Sequence, residues 1–325
     1  MVSVSTPNGR KHSELPQYMI SIILVSYNTS KLTRAAIKAI YQSGIETGVA
    51  FEIIVVDNES RDDSVAMIIE NFPEVTVISA GKNLGFGRGN TLGAEHAKGD
   101  ILFFLNTDTE VRAGAIEALW SYLVRHSEIG IAAAMLENPD GSVQPSILRF
   151  PTVWRIFCEF FWLDRTGLRM FDGTLDRHAN PECEQVIEVA HGAAFMIYRK
   201  LYEQIKGFDS AFFMYYEESD LCKRALEYGV RVGYTPSSRV MHHVGGSSRS
   251  KPWWFFRAMR TSRMIYAKKH LSLPGRAVLL GIVHTGYALR ILLYGLAGVL
   301  NQRLRHHGRN MLLSYIRRTG PDKEI

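Results

Sequence analysis

The sequence predicts an α/β protein on a mostly parallel, doubly wound sheet, with a second half in the same domain and a helical C-terminal tail. Three observations carry this prediction. Short apolar runs alternate with stretches of helical apolar spacing through the first third of the 325 residues. Three of those runs end in polar residues that a buried strand does not need. Beyond residue 250 the chain becomes basic and apolar together.

In chain order, Ile20–Val25 reads as a buried strand, and a helix follows over Lys31–Gln42 with Thr29 or Ser30 as cap and Gly44 as stop. Phe51–Val56 is the second strand. Val65, Ile68, Ile69 and Phe72 have helical spacing, and Pro73 ends that helix. Val75–Ile78 is a strand, Gly89–Lys98 a helix, Ile101–Leu105 a strand and Ala113–Leu123 a helix. Asn138-Pro139-Asp140-Gly141 is a turn. Residues 151–164, with Trp154, Phe157, Phe160, Phe161 and Trp162, read as an aromatic helix, and 165–185 as a variable loop. Val186–Val189 and Ala194–Tyr198 are strands, Ser219–Tyr228 is a helix stopped by Gly229, and Val230–Tyr234 and Arg239–His242 are extended. Residues 1–18 read as a disordered lead-in with no apolar signal segment, 19–135 and 136–250 as the two halves of one α/β domain, and 251–325 as the tail.

An apolar fraction of 46% and a charged fraction of 22% fit a globular protein with a sizeable core. The three cysteines have no metal-ligand spacing, which fits free thiols in a reducing compartment. The net charge of +6 is unevenly spread: residues 249–325 hold 15 Lys and Arg against Asp322 and Glu324, a net of +13, and residues 1–248 carry −7. An acidic first part disfavours nucleic-acid binding, which needs basic groups on the binding face. Basic residues flanking apolar runs favour an anionic lipid surface.

The polar strand ends are Ser26-Tyr27-Asn28, Asp57-Asn58 and Asn106-Thr107-Asp108. A parallel sheet brings such ends to one rim, where ligands bind. A carboxylate there can accept the N3–H of uracil or thymine, and another can hold a hard cation. Each alone also fits a cap or turn. Lys82–Asn90, with Gly85, Gly87 and Gly89, leads into a helix and permits close approach of phosphate. It lacks the third glycine of a dinucleotide fingerprint and the Gly-Lys-Ser/Thr of a P-loop.

VSYN at 25–28, VVDNES at 55–60, KNLGFGRGN at 82–90, LNTD at 105–108, GFD at 207–209 and YEESDLCKR at 216–224 occur together in one order. Over roughly residues 20–250 the chain resembles glycosyltransferase family 2, of the GT-A fold, and is similar to its bacterial rhamnosyltransferase-like branch, which builds cell-surface polysaccharide on lipid carriers. The resemblance implies an inverting transferase using a dTDP- or UDP-sugar and Mg²⁺ or Mn²⁺. It implies that Asp57 holds the nucleobase, that Ser26, Tyr27 and Asn28 line that pocket, and that Asn83, Gly85, Phe86 and Asn90 lie near the nucleoside and diphosphate. Asn106, Thr107 and Asp108 stand where the family has its metal-binding DxD, so Asp108 is the carboxylate ligand. Glu218 stands at the position of the catalytic base, with Glu217 and Asp220 as further candidates. His242 or His243 reaches the metal or diphosphate; the spacing leaves both open. His191 and Gly192 fall on the acceptor side, where a polyprenyl-linked saccharide is expected.

The tail carries Trp253–Phe256, several Arg and Lys, and the run Ala277–Leu300. That run is near the ~20 residues a membrane span needs, but a mid-run Arg costs about 2.5–3.5 kcal/mol. The expected arrangement is a set of interfacial helices on the cytoplasmic face of the membrane, with a span and a helix packed on the catalytic domain as alternatives. Rival functional readings are a sugar nucleotidyltransferase, for which the first strand end lacks a basic glycine loop, and a non-catalytic nucleotide- or glycan-binding protein.

Overall fold

The computed structural model describes residues 18–43, 49–243, 252–299 and 301–316. The expected helix stop at Gly44, the lead-in up to residue 17 and the glycine turn after His243 lie outside the described residues.

Strands β1 (Ile20–Ser26), β2 (Phe51–Asp57), β3 (Thr76–Ser79) and β4 (Ile101–Leu105) pair in parallel in the order β3-β2-β1-β4, with helices α1 (Ser30–Gln42), α2 (Ser64–Asn71) and α3 (Gly85–His96) as crossovers. The reversal of order at β1 creates a crevice between β1 and β4 at their carboxyl ends. Strands β1, β2 and β4 read as continuous apolar runs because both faces are covered, while the edge strand β3 is partly exposed. Along β1, Ile22 and Leu24 enter one core cluster with Ile37, Ile40 and Leu119, whereas Ile23 enters the other with Phe104, Phe195 and Tyr234.

Beyond β4 the sheet becomes mixed. Strand β8 (Ala194–Tyr198) runs antiparallel to β4 and to β6 (Ile129–Glu137). Strand β9 (Arg231–His242) lies parallel to β6, and its outer edge pairs antiparallel with β7 (Gln185–Ile187) and with β5 (Thr109–Val111). Helix α4 (Ala115–Arg125) packs on this half. Strand β6 has no counterpart in the sequence reading. It is IGIAAAMLE, buried at every position, and its alanines give neither alternation nor β-branched enrichment. Strand β9 is one strand and not two: its register to β6 slips between Ala134 and Met135, which takes Pro236 out of the ladder.

Helix α3 starts four residues before its expected start at Gly89. A Cβ on Gly89 would lie 2.9 Å from Val25 Cγ1, and one on Gly93 2.5 Å from Ile23 Cγ2. The glycines that weaken helix propensity here are those that let α3 lie directly on β1.

Helix α5 (Val153–Phe160) is shorter than its aromatic pattern suggested. Helices α6 (Arg199–Gln204) and α7 (Glu217–Glu227) follow in the second half. The tail forms α8 (Pro252–His270), α9 (Leu273–Ala297) and α10 (Gln302–Ile316). Among the described residues, α9 is the one helix long and apolar enough to cross a membrane, with a mean hydropathy of 1.6 over its most apolar window. Its buried side, Leu279, Val283 and Tyr287, packs on Ile156 and Phe160, while Leu273, Val278, Leu292 and Leu296 are exposed. Arg290 does not face outward: it donates to the carbonyls of Glu159 and Phe160 at the end of α5, and its guanidinium lies 4.6 Å from the Trp162 ring centroid.

Candidate active site

The three strand ends meet at the crevice. Ser26 lies directly opposite Asp57 in the ladder. Asp57 is buried; its Oδ2 accepts the Ser60 N–H at 3.0 Å, and its Oδ1 has no partner. A buried acceptor left open costs about 1–3 kcal/mol, so this oxygen is suited to a ligand donor. Asn58 ties β2 to the glycine loop, its Nδ2 donating to the Gly85 carbonyl at 2.9 Å.

Several expected nucleotide contacts serve the frame. Ser26 Oγ sits in a buried hydroxyl cluster with Thr29 and Thr33, and Thr107 joins it through Thr29 at 3.3 Å. Tyr27 is half-buried at the strand end. Asn28, at a φ of 53°, takes the Arg61 N–H on its Oδ1 and donates its own N–H to Ser60 Oγ. Asn83 Oδ1 accepts the Gly85 N–H, and buried Asn90 turns back to the Phe86 carbonyl. A Cβ on Gly85 would fall 2.1 Å from the Phe213 carbonyl oxygen, so only glycine permits the loop to lie there; the same carbonyl accepts the Phe86 N–H at 3.0 Å.

Asp108 and His242 form the second cluster. Asn106 N–H donates to the Ala193 carbonyl, fixing the turn from which Asp108 projects. Thr109 pairs with His242 across β5 and β9, and Asp108 Oδ1 lies 3.4 Å from His242 Nε2. Strand alternation sends His243 elsewhere, to Glu110 Oε1 at 2.8 Å. Among the described residues, no three His, Cys, Asp or Glu side chains are grouped to hold a metal by themselves.

Glu217 and Glu218 open α7. Tyr215 and Tyr216, at φ of 71° and 70°, turn the chain into the helix through two left-handed residues. That conformation costs roughly 1–2 kcal/mol each. Contacts from the tail hold it: Arg263 Nε donates to Tyr216 Oη at 2.7 Å, and Phe255 meets the Tyr215 ring edge-on at 5.2 Å. Burial raises the Glu218 carboxyl to about 7. Burial and then the Glu218 charge push Glu217 well above the usual carboxylate range, and its Oε2 has no partner.

Residues 191–192 connect the clusters. A Cβ on Gly192 would meet the Phe86 ring at 3.6 Å and Glu218 Cδ at 3.9 Å, while the His191 ring lies 5.7 Å from that of His242. His191 Nδ1 accepts the Ala193 N–H at 3.2 Å. Burial, then the neighbouring His242, lower the His191 pKa to about 4 against the pull of Asp108, so it is neutral near pH 7.

Asp220 stands apart from this group. Its Oδ1 takes His270 Nε2 at 2.7 Å and Lys269 Nζ at 2.6 Å, and its Oδ2 takes Arg224 Nε at 2.8 Å. Burial raises its pKa, but the bonds from His270 and Lys269 and the Arg224 charge outweigh that and hold it near about 2. It therefore locks α7 to α8, and both oxygens are engaged. Lys269, His270, Arg263 and Arg290 of the tail bond to groups of the preceding α/β domain, the packed arrangement that stood as an alternative to lipid contact. Single-residue spacing gave no signal for this, because their partners lie 47 to 131 positions away.

A mixed sheet whose parallel half ends at a switch-point crevice is the arrangement of a GT-A-type fold. The profile described as "Glycosyl transferase family 2" matches residues 21–206. The chain belongs to glycosyl transferase family 2 and is a glycosyltransferase. It is 27% identical over 253 residues to "N-acetylglucosaminyl-diphospho-decaprenol L-rhamnosyltransferase" of Mycobacterium tuberculosis, covering 73% of this chain and 81% of that protein. The fold is similar to that of the Pyrobaculum calidifontis mannosyltransferase PcManGT in complex with GDP-Man and Mn²⁺, with a TM-score of 0.55, 16% identity, and coverage of 93% of this chain and 87% of that one. It is also similar to GalNAc-T7 with UDP, GalNAc and Mn²⁺, with a TM-score of 0.55, 15% identity, and 82% of this chain covered; the match spans about half, 54%, of that chain.

Proposed function

We propose that the enzyme transfers a sugar, with inversion, from a dTDP- or UDP-sugar to a hydroxyl of a polyprenyl-linked saccharide at the cytoplasmic face of a membrane, with rhamnose as the sugar. The observation that carries this reading is Glu218, raised to about 7 and packed beside Gly192, whose chain neighbour His191 meets the His242 that pairs with Asp108. The sugar and acceptor follow the mycobacterial relative, and the exposed apolar side of α9 supplies the membrane contact.

In this reading Asp57 Oδ1 accepts the N3–H of the base. Glu218 takes the proton from the acceptor hydroxyl as that oxygen bonds to the anomeric carbon from the face opposite the diphosphate; the bond from that carbon to the diphosphate oxygen breaks, and a single displacement inverts the centre. Neutral His191 and the bare Gly192 leave room for the acceptor. The residues fit a divalent cation: Asp108 and His242 offer one oxygen and one nitrogen donor 3.4 Å apart, a set suited to Mn²⁺ or Mg²⁺ when phosphate oxygens and water complete the shell. Such an ion would supply charge neutralisation of the leaving diphosphate.

Two results are expected. Asp57→Ala removes the open acceptor and weakens UDP or dTDP binding about 10-fold, read as a smaller nucleotide-induced thermal shift. The base must be ionised, so log(kcat/KM) climbs with unit slope as pH approaches 7 and levels off above it. A plateau already reached at pH 5 would exclude Glu218 as the base. Release of nucleoside diphosphate from dTDP-rhamnose, dependent on both Mn²⁺ and a prenyl-diphosphate-linked saccharide, tests the whole reading; no release with any such acceptor would reject it.

A further inference from the structure

The turn at Asn138–Gly141 leads into a hydrogen-bond chain that ends on His242. Asp140 Oδ1 accepts from Ser142 Oγ at 2.6 Å and from the Ser142 N–H at 2.9 Å. Asn138 Nδ2 donates to Ser142 Oγ at 2.9 Å. Gln144 Nε2 donates to Asn138 Oδ1 at 3.0 Å. His242 Nδ1 lies 2.8 Å from Gln144 Oε1. The turn is stapled to the end of β6 by Gln144 N–H on the Leu136 carbonyl and Asn138 N–H on the Ser142 carbonyl, both at 2.8 Å. β9, which carries His242, is the neighbour of β6.

Chemistry gives this chain a direction. An ionised carboxylate only accepts, and hydrogen bonds from the Ser142 hydroxyl and amide keep the Asp140 carboxyl below the usual range. The Ser142 hydroxyl proton is therefore committed to Asp140, and its oxygen receives the Asn138 amide. That turns the Asn138 carbonyl to Gln144, which must answer with its NH₂ and so presents its carbonyl to His242. Reversing either amide would set donor against donor or acceptor against acceptor. Nδ1 is left to carry the proton, and in a neutral imidazole Nε2 then holds a lone pair. That lone pair faces Asp108 Oδ1 at 3.4 Å, two acceptors directed at one point.

We propose that Asp140, Ser142, Asn138 and Gln144 form a directional relay that holds His242 as its Nδ1–H tautomer, with Nε2 presented as a ligand atom beside Asp108. Gln144 is the positioning residue of this relay. The proposal rests on the reading of Asp108 and His242 as a cation site, and it adds the part of the protein that makes His242 ready for that cation before substrate arrives. Partners behind a metal-binding histidine typically change metal affinity 10–100-fold when removed.

The test uses the full-length, metal-free protein with ¹⁵N-labelled histidine at pH 8, the His242 signals being assigned by their loss in His242→Asn. Long-range ¹H–¹⁵N NMR is expected to show a protonated Nδ1 and an unprotonated Nε2. Gln144→Leu is expected to abolish that preference and weaken Mn²⁺ binding, read from free Mn²⁺ by EPR with UDP present, at least 10-fold. Gln144→Glu, which gives up the bond to Asn138 Oδ1 but still accepts from Nδ1–H, is expected to keep the Nδ1–H tautomer. A protonated Nε2 in the parent protein overturns the proposal, whatever the variants do. So does a Gln144→Leu variant with unchanged tautomer and affinity, or a Gln144→Glu variant that loses the Nδ1–H tautomer. A parent protein with the expected tautomer but no Mn²⁺ binding would leave the relay standing and remove the cation reading instead.

Discussion

Glu218→Gln is expected to lower turnover by about 10²–10⁴-fold and, at the same time, to make the folded protein more stable above pH 7. The first effect is the loss of the base. The second follows from the same burial. An unfolded Glu titrates near 4.3, whereas folded Glu218 holds its proton up to about 7. Between those values the folded state binds the extra proton, so stability falls as pH rises through this window and stays at its reduced level above it. A neutral amide escapes that loss. Thermal melts should therefore coincide for the two proteins near pH 4 and separate by several degrees at pH 8, with the variant higher. Retained turnover would move the base to Glu217. Equal melts at pH 8 would show that Glu218 is not the buried, proton-retaining group described here.

Asp108→Asn should be nearly as damaging to turnover, by on the order of 10³-fold, because losing the carboxylate that would hold the ion removes several kcal/mol of charge stabilisation at the leaving diphosphate. The two substitutions should differ in their binding signatures. Asp108→Asn is expected to lose Mn²⁺ binding by EPR while UDP without metal still binds through Asp57, since Asp57 has its own frame of Ser60 and β2. Glu218→Gln is expected to keep both. A variant at 108 that retained Mn²⁺ with parental affinity would separate Asp108 from the cation.

Strands β1, β2 and β4 were legible because burial on both faces writes them as unbroken apolar runs, and their polar ends marked the crevice. Strand β6 was not legible, because IGIAAAMLE carries small residues whose β character comes only from the neighbours they pack between. Helix α3 began earlier than its residues suggested, because Gly89 and Gly93 answer to the β1 surface and Gly85 to Phe213, not to helix propensity. The choice between His242 and His243 could not be made from spacing: the slip around Pro236 resets the alternation of β9, so the face of each His depends on the register to β6. The sequence leaves open whether the tail's basic residues meet lipid or the domain, because charge is visible in a sequence and its direction is not. Arg263, Lys269, His270 and Arg290 find Tyr216, Asp220 and the end of α5 only after the chain has folded. Asp220, two positions after Glu218, shows the limit of motif reading: within the same helix turn one carboxyl is raised to about 7 and the other is held near about 2.

The most direct measurement is a crystal structure of the full chain soaked with Mn²⁺ and UDP or dTDP. The base is expected against Asp57 Oδ1, the ion on Asp108 and His242 Nε2 with the diphosphate completing its shell, and Glu218 facing the end of the diphosphate across Gly192. A nucleotide bound away from Asp57, or an ion that leaves Asp108 and His242 uncoordinated, would contradict the proposed site.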